Sequence, residues 1–352
     1  MSAVSTVGPA GAASSAFRGR VVSVLVAIAV AMGLAVTAGT QEASAANRDW
    51  LRGDSTGACE WDRVGYWVQR CDVWSPAMGR NIPVQIQPAK NGGNAGLYLL
   101  DGLRATDITN AWVNDVNAAN TYVDHNITLV MPVGGAASFY ADWNAPATYD
   151  LVEPVNYKWE TFLTQELPAY LESNFGVARN NNSLAGLSMG GTAAITLAGK
   201  HPEQFRQVMS YSGFLTTTLP GAQTFMRLAL LDAGGFNINA MYGSLISPKR
   251  FSNDPFNLIP ELAANGTDVF VSAASGVPGP IDNARYKPEH IAAGSALEFF
   301  SNASTRIWEM RARASGVRLQ TSYPPQGLHN WEQFGYQLEM TKPQVLNVMN
   351  AW

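Results

Sequence analysis

Charge is scarce in this sequence. Only 14% of its 352 residues are Asp, Glu, Lys or Arg, and the two signs nearly cancel at a net charge of -4. No basic stripe is present, which argues against a nucleic-acid partner. Cysteine is scarcer still: Cys59 and Cys71 are the only two. That is too few for a small disulfide-framework domain, and their spacing fits no metal site. After Ala46 there is no linker, repeat or low-complexity break. No segment there is long and apolar enough to cross a bilayer, which takes about 20 residues. A polytopic membrane protein and a repeat array are thereby excluded.

The chain does begin with one long apolar run. Arg18 and Arg20 precede an uncharged stretch from Val21 to Gln41, and Ala43-Ser44-Ala45 supplies the small residues a signal peptidase needs. Residues 1–45 are therefore expected to be a signal peptide, cleaved before Ala46, and residues 46–352 a single catalytic domain. A retained membrane anchor is the alternative; the weak hydropathy of the run's Gly, Thr and Ala half argues against it. An exported chain meets oxidising conditions, so a Cys59–Cys71 disulfide is expected. Closing so short a loop stabilises a fold by about 3 kcal/mol in the chain-entropy model.

Short apolar runs recur at 82–86, 96–100, 127–131, 183–186, 208–211, 269–273 and 319–323. Most are bounded by Gly, Pro or Asp, as strands buried on both faces are. Helical stretches lie between them at 159–171, 189–200 and 295–314. Strands alternating with helices predict an α/β protein with a mainly parallel central sheet covered by helices on both faces. Reactive groups then collect at the carboxyl ends of the strands.

The pattern G-x-S-x-G occurs twice. Gly53-Asp54-Ser55-Thr56-Gly57 has no strand before it and no helix after it, and reads as a turn. Gly186-Leu187-Ser188-Met189-Gly190 has both. There the glycines let a strand turn sharply into a helix and lift the Ser188 hydroxyl above the sheet. The same turn puts the Met189 N–H at a helix N-terminus, where it can stabilise an oxyanion. This context predicts the α/β-hydrolase fold with Ser188 as nucleophile.

A serine hydroxyl needs a base to take its proton. Four histidines are available. In this fold the order is Ser, acid, His. His125 lies upstream of Ser188, His201 ends the nucleophile helix, and His290 has no strand before it. His329 follows the 319–323 strand and a Pro324-Pro325-Gln326-Gly327 loop, where the fold places its base. The acid is less constrained. The loop after 269–273 favours Asp282; Glu298 on the following helix is the rival, and both stay open on pattern alone.

From about Ser75 to Met340 the chain resembles the mycolyltransferases, a family that includes the antigen 85 proteins of mycobacteria and corynebacterial relatives. The likeness is carried by Leu99-Leu100-Asp101-Gly102-Leu103-Arg104-Ala105, by Val130-Met131-Pro132-Val133-Gly134-Gly135 with Ser138-Phe139-Tyr140 and Asp142-Trp143, and by Tyr157-Lys158-Trp159-Glu160-Thr161-Phe162-Leu163. Gly186-Leu187-Ser188-Met189, Asp232-Ala233-Gly234-Gly235, Asn253-Asp254-Pro255 and Gly327-Leu328-His329-Asn330-Trp331-Glu332 follow in the family's order.

The resemblance implies Ser188 as nucleophile, His329 as base and Glu298, rather than Asp282, as acid. It implies Leu103 and Met189 as the two oxyanion-hole N–H donors. Asp101, Arg104 and Trp331 match residues that hold the trehalose head group. Two departures stand out. Gly190 replaces the Ala that mycobacterial members carry after Ser-Met, and the segment after Trp112 diverges. The implied activity is acyl transfer from trehalose monomycolate to trehalose, arabinogalactan or a protein hydroxyl, by a monomer in the envelope or secreted, with no cofactor and no metal. A carboxylesterase of the same fold and a non-catalytic wall-associated binding protein are the rival readings.

Overall fold

Among the described residues nine strands form one sheet in the order β1-β2-β3-β5-β4-β6-β7-β8-β9. They are β1 (Glu60–Trp61), β2 (Gln69–Ser75), β3 (Arg80–Gln87), β4 (Ala95–Leu100), β5 (Ile127–Pro132), β6 (Asn182–Leu187), β7 (Phe205–Tyr211), β8 (Asp268–Ser272) and β9 (Arg318–Ser322). The first three are antiparallel, and β3 also joins β5 antiparallel. From β5 through β4, β6, β7 and β8 to β9 every pairing is parallel. This computed structural model describes residues 48–150 and 152–352; the expected signal peptide lies outside the described residues.

The helices that matter for the site are α1 (Leu167–Phe175), α2 (Met189–Lys200), α3 (Ala222–Gly234), α4 (Pro280–Arg285), α5 (Pro288–Ala314) and α6 (Trp331–Met349). Along β4, Tyr98 and Leu100 join the apolar cluster that includes Ala194, Leu197 and Trp308, whereas Leu97 and Leu99 join the one that includes Trp112, Phe334 and Leu338. The strand alternates, and both faces are dry. Each fully buried Leu contributes roughly 1.5–3 kcal/mol, so the period-two run holds helices on both sides. This is the α/β-hydrolase fold.

One predicted element differs. The 159–171 helix is helical throughout but not one α-helix: Trp159–Thr161 leads into a π turn, Phe162–Glu166, and then α1. Pro168 has no N–H to return to the carbonyl four residues back, and the Leu167 N–H reaches Phe162 O instead. Cys59 and Cys71 are joined in a disulfide that ties the chain before β1 to the middle of β2. Among the described residues no helix is long and apolar enough to cross a membrane.

Candidate active site

The chain enters the site along β6. It turns at Ser188, which sits at φ 52° and ψ -120°. A non-glycine residue there is strained and persists only where its surroundings enforce it. The enforcement is steric. A Cβ on Gly186 would lie 2.3 Å from the Gly190 carbonyl, one on Gly190 would lie 2.5 Å from the Asp101 carbonyl oxygen, and one on Gly191 would lie 2.7 Å from Ser210 Oγ. Three glycines thus pack the turn against β4 and β7. The Ser188 N–H donates to Tyr211 O at 2.8 Å. Its hydroxyl makes no capping bond to α2, so it is not spent on the helix. The other G-x-S-x-G is a turn: Ser55 donates to the Asp72 carbonyl at 2.6 Å.

His329 stands in the loop between β9 and α6. Its N–H donates to Gly294 O, and the Gly327 N–H donates to Val277 O. Nδ1 of His329 lies 2.9 Å from Oε2 of Glu298 on α5. The Glu298 side chain is fully buried and that of His329 is 9% exposed. Oε1 of Glu298 accepts from Ser212 Oγ at 2.7 Å and from the Ala274 N–H at 2.6 Å. A buried carboxylate needs its lone pairs occupied, and here Ser212 and Ala274, just beyond β7 and β8, and the His329 ring occupy them.

Asp282 does not meet His329. On α4 it accepts from the Gly279 N–H at 2.8 Å and from Asn330 Nδ2 at 2.7 Å. The position favoured by strand–loop pattern is a helix cap that steadies the residue after His329. Loop location alone does not tell these two carboxylates apart.

Leu103 follows β4, and its carbonyl accepts from the Ala137 N–H at 2.9 Å. Among the described residues the N–H groups of Leu103 and Met189 have no hydrogen-bond partner. Asp101 is buried; it accepts from the Gly102 N–H at 2.8 Å and the Ala111 N–H at 2.9 Å. Burial pushes its pKa up to about 6, with those two bonds pulling the other way. Trp331 opens α6 and packs edge-on to Trp112 at 6.0 Å, while Trp112 Nε1 donates to Leu100 O. One indole therefore links Trp331 to the strand end that carries Asp101. Arg104 sits apart from Asp101: it is exposed and ion-paired with Asp232 at the end of α3.

Ser212, Asn330 and Phe214 escaped the sequence reading. Ser212 and Phe214 lie just beyond the predicted 208–211 strand, at the carboxyl end where the site forms, which was the available signal. Phe214 begins a run of ring contacts: His329 to Phe214 at 6.2 Å, Phe214 to Phe225 at 5.3 Å, and Phe225 to Phe300 at 5.9 Å. The run ends on the exposed Phe299 and Phe300 of α5.

A strained serine at a strand–helix turn of a mainly parallel sheet, with a buried Glu–His pair tied to the end of the same neighbouring strand, β7, defines an α/β-hydrolase of the serine type. Residues 75–345 match the esterase family, described as "Putative esterase". The chain is 37% identical to the diacylglycerol acyltransferase/mycolyltransferase Ag85C of Mycobacterium leprae, over 85% of this chain and 87% of that one. It is also 37% identical to the corresponding Ag85B of Mycobacterium avium, over 86% and 89%. The crystal structure of Mycobacterium tuberculosis MPT51 (FbpC1) superposes with a TM-score of 0.70 at 28% identity, covering 80% of this chain and 98% of that one. The chain belongs to this esterase family and, within it, to the mycolyltransferases, and it is an acyltransferase.

Proposed function

We propose that the chain is exported and moves a mycolyl group from trehalose monomycolate, through an acyl-enzyme on Ser188, to a sugar hydroxyl. The observation that carries this reading is the buried Glu298–His329 pair, held by Ser212 and Ala274, at the end of β7 where the Ser188 N–H bonds Tyr211 O in a strained turn.

The chemistry runs in two halves. His329 Nε2 takes the Ser188 proton as Oγ attacks the ester carbonyl. Glu298 fixes the imidazole tautomer and stabilises the imidazolium. The N–H groups of Met189 and Leu103 receive the oxyanion. The C–O bond to trehalose breaks, and His329 returns the proton to the leaving oxygen. A second sugar hydroxyl, on trehalose, arabinogalactan or a protein-linked acceptor, then gives its proton to His329 and attacks the acyl carbonyl. Ser188 leaves with that proton. Asp101 offers a charged acceptor to sugar hydroxyls, Arg104 a fork of donors at the rim, and Trp331 a flat apolar face. The ring run from His329 through Phe214 and Phe225 to Phe300 offers the acyl chain an apolar path outward. The enzyme acts as a monomer and needs no dissociable cofactor.

Mass spectrometry of the mature protein with trehalose monomycolate, then with excess trehalose, tests this. An adduct on Ser188 that disappears as trehalose dimycolate forms is the expected result. An adduct lost only to water makes the protein a carboxylesterase. No adduct on folded protein leaves a binding protein.

A further inference from the structure

Four of the ten tryptophans, Trp50, Trp61, Trp67 and Trp74, fall close together in the sequence around β1 and β2, and all four are exposed. Trp61 is 47% exposed and Trp67 42% exposed, beside a half-exposed Tyr66. A well-packed surface hides such rings; leaving several in water costs apolar burial and marks a contact surface. Two hollows lie here. One, of about 330 Å³, is lined by Asp49, Trp61, Tyr66 and Trp67. The other, of about 390 Å³, shares Trp61 and continues through Glu60, Arg63 and Ile108.

The rings are held rather than loose. Trp67 Nε1 donates to Asp49 at 2.9 Å, and the Arg48 guanidinium lies 5.1 Å above the Trp67 ring. Trp61 sits on β1, in register with Gln69 of β2. Among the described residues Glu60 and Arg63 have no ion-pair partner, and both border the second hollow. Flat apolar faces with polar groups of both signs between them suit a ligand that is itself apolar on its ring faces and hydroxylated at its edges.

The second hollow reaches the loop that leads away from the candidate active site, being lined by Ile108 and Thr109. Arg70 on its wall donates to the Ile108 carbonyl at 2.6 Å. Ile108 lies on the loop that starts at Asp101 and Leu103. Ile108 is seven positions on from Asp101, so the two are at most ~25 Å apart along the backbone, a span several sugar rings long.

We infer that the surface around Trp61 and Trp67 is a glycan-binding platform that holds the distal units of a neutral oligo- or polysaccharide while one of its hydroxyls is presented at Ser188. The proposal deepens the acyl-transfer reading and rests on it for its purpose, but not for its binding. A membrane surface fits less well, because Arg63 and Arg70 are offset by Asp49, Glu60 and Asp62 around the hollows, leaving no basic patch to draw anionic headgroups.

The test separates binding from catalysis. In Ser188→Ala protein, tryptophan fluorescence and calorimetry are followed against soluble arabinogalactan, trehalose and vesicles of anionic phospholipid. The platform requires saturable binding of the polysaccharide that W61A weakens by roughly tenfold, with W67A, which also opens the Asp49 bond, as a second variant. Each substitution, made also in protein that retains Ser188, must keep the wild-type melting temperature and activity with trehalose. Polysaccharide binding unchanged in both folded variants, or vesicle binding without polysaccharide binding, overturns the platform. Loss of transferase activity in the wild type with retained glycan binding overturns the acyl-transfer reading alone.

Discussion

Nδ1 of His329 lies 2.9 Å from Oε2 of Glu298, and Glu298 has no contact with water. The other carboxylate oxygen is already committed to Ser212 and Ala274. Glu298→Gln preserves that second set of bonds, because its carbonyl oxygen still accepts both. Its NH2 then faces Nδ1 and forces the imidazole proton onto Nε2, so the ring can no longer accept from Ser188. We expect kcat to fall by about ten-thousandfold, as for loss of the orienting carboxylate in other triads, with little change in melting temperature. Asp282→Asn, which touches only Gly279 and Asn330, should cost kcat less than about a hundredth of that factor. Comparable losses in the two variants would return Asp282 to consideration as the acid.

Gly190 carries a second prediction. Its missing Cβ faces backbone, the carbonyl oxygens of Leu100 and Asp101 at 2.6 and 2.5 Å, and neither can rotate away. Gly190→Ala therefore pushes the end of β4 outward. Overpacking of this kind costs roughly 1–3 kcal/mol. The displaced segment leads into Leu103, so the shift also moves a proposed oxyanion donor; misplacing one donor costs about 100- to 1,000-fold in kcat. Thermal melting and steady-state kinetics on the same preparation check this. Full activity in a destabilised variant would mean that the strand yields without carrying Leu103.

What the sequence could reveal follows from the range of the forces involved. Strands β4 to β8 were legible because each is a largely dry run with local boundaries, whereas β3, exposed at its start, and β9, with no fully buried residue, were read from strand character alone. The elbow was legible because its glycines are a local steric demand. β2 was not, since Arg70, Asp72 and Trp74 point outward from alternate positions and dilute its apolar signal. Glu298 and Asp282 could not be separated by pattern: both are buried carboxylates, and which one meets His329 depends on how α4 and α5 pack, a non-local matter. Family likeness favoured Glu298. The Arg104 pairing with Asp232 lies 128 residues along the chain, beyond any local rule.

The ring run predicts chain-length selectivity. Phe225 bridges Phe214 and Phe300. Phe225→Ala should raise KM for long-chain acyl donors by about tenfold, the loss of roughly 1.4 kcal/mol of apolar contact. Hydrolysis of a short-chain ester such as p-nitrophenyl butyrate should be unchanged within about twofold. Equal losses for both substrates would place the acyl chain elsewhere.

Asp101 predicts a pH dependence of its own. Burial raises its pKa from 3.8 to about 6, against the pull of the Ala111 and Gly102 N–H groups. Between about pH 4 and pH 6 the folded protein then holds a proton that the unfolded chain has released. Its contribution to stability must therefore fall as pH rises through that window, by about 3 kcal/mol in all, and level off above it. Sugar binding runs the opposite way, because only the ionised carboxylate is a strong acceptor. KM for trehalose should climb as pH drops below about 6, while kcat follows the base. Asp101→Asn cannot titrate. It will be less stable overall, since its NH2 or its single oxygen must face two backbone donors, but both pH slopes should disappear. Denaturant melts and KM profiles over the same pH series read the two slopes separately. A KM slope that survives in Asp101→Asn would assign the titration to another group and remove Asp101 from the sugar site.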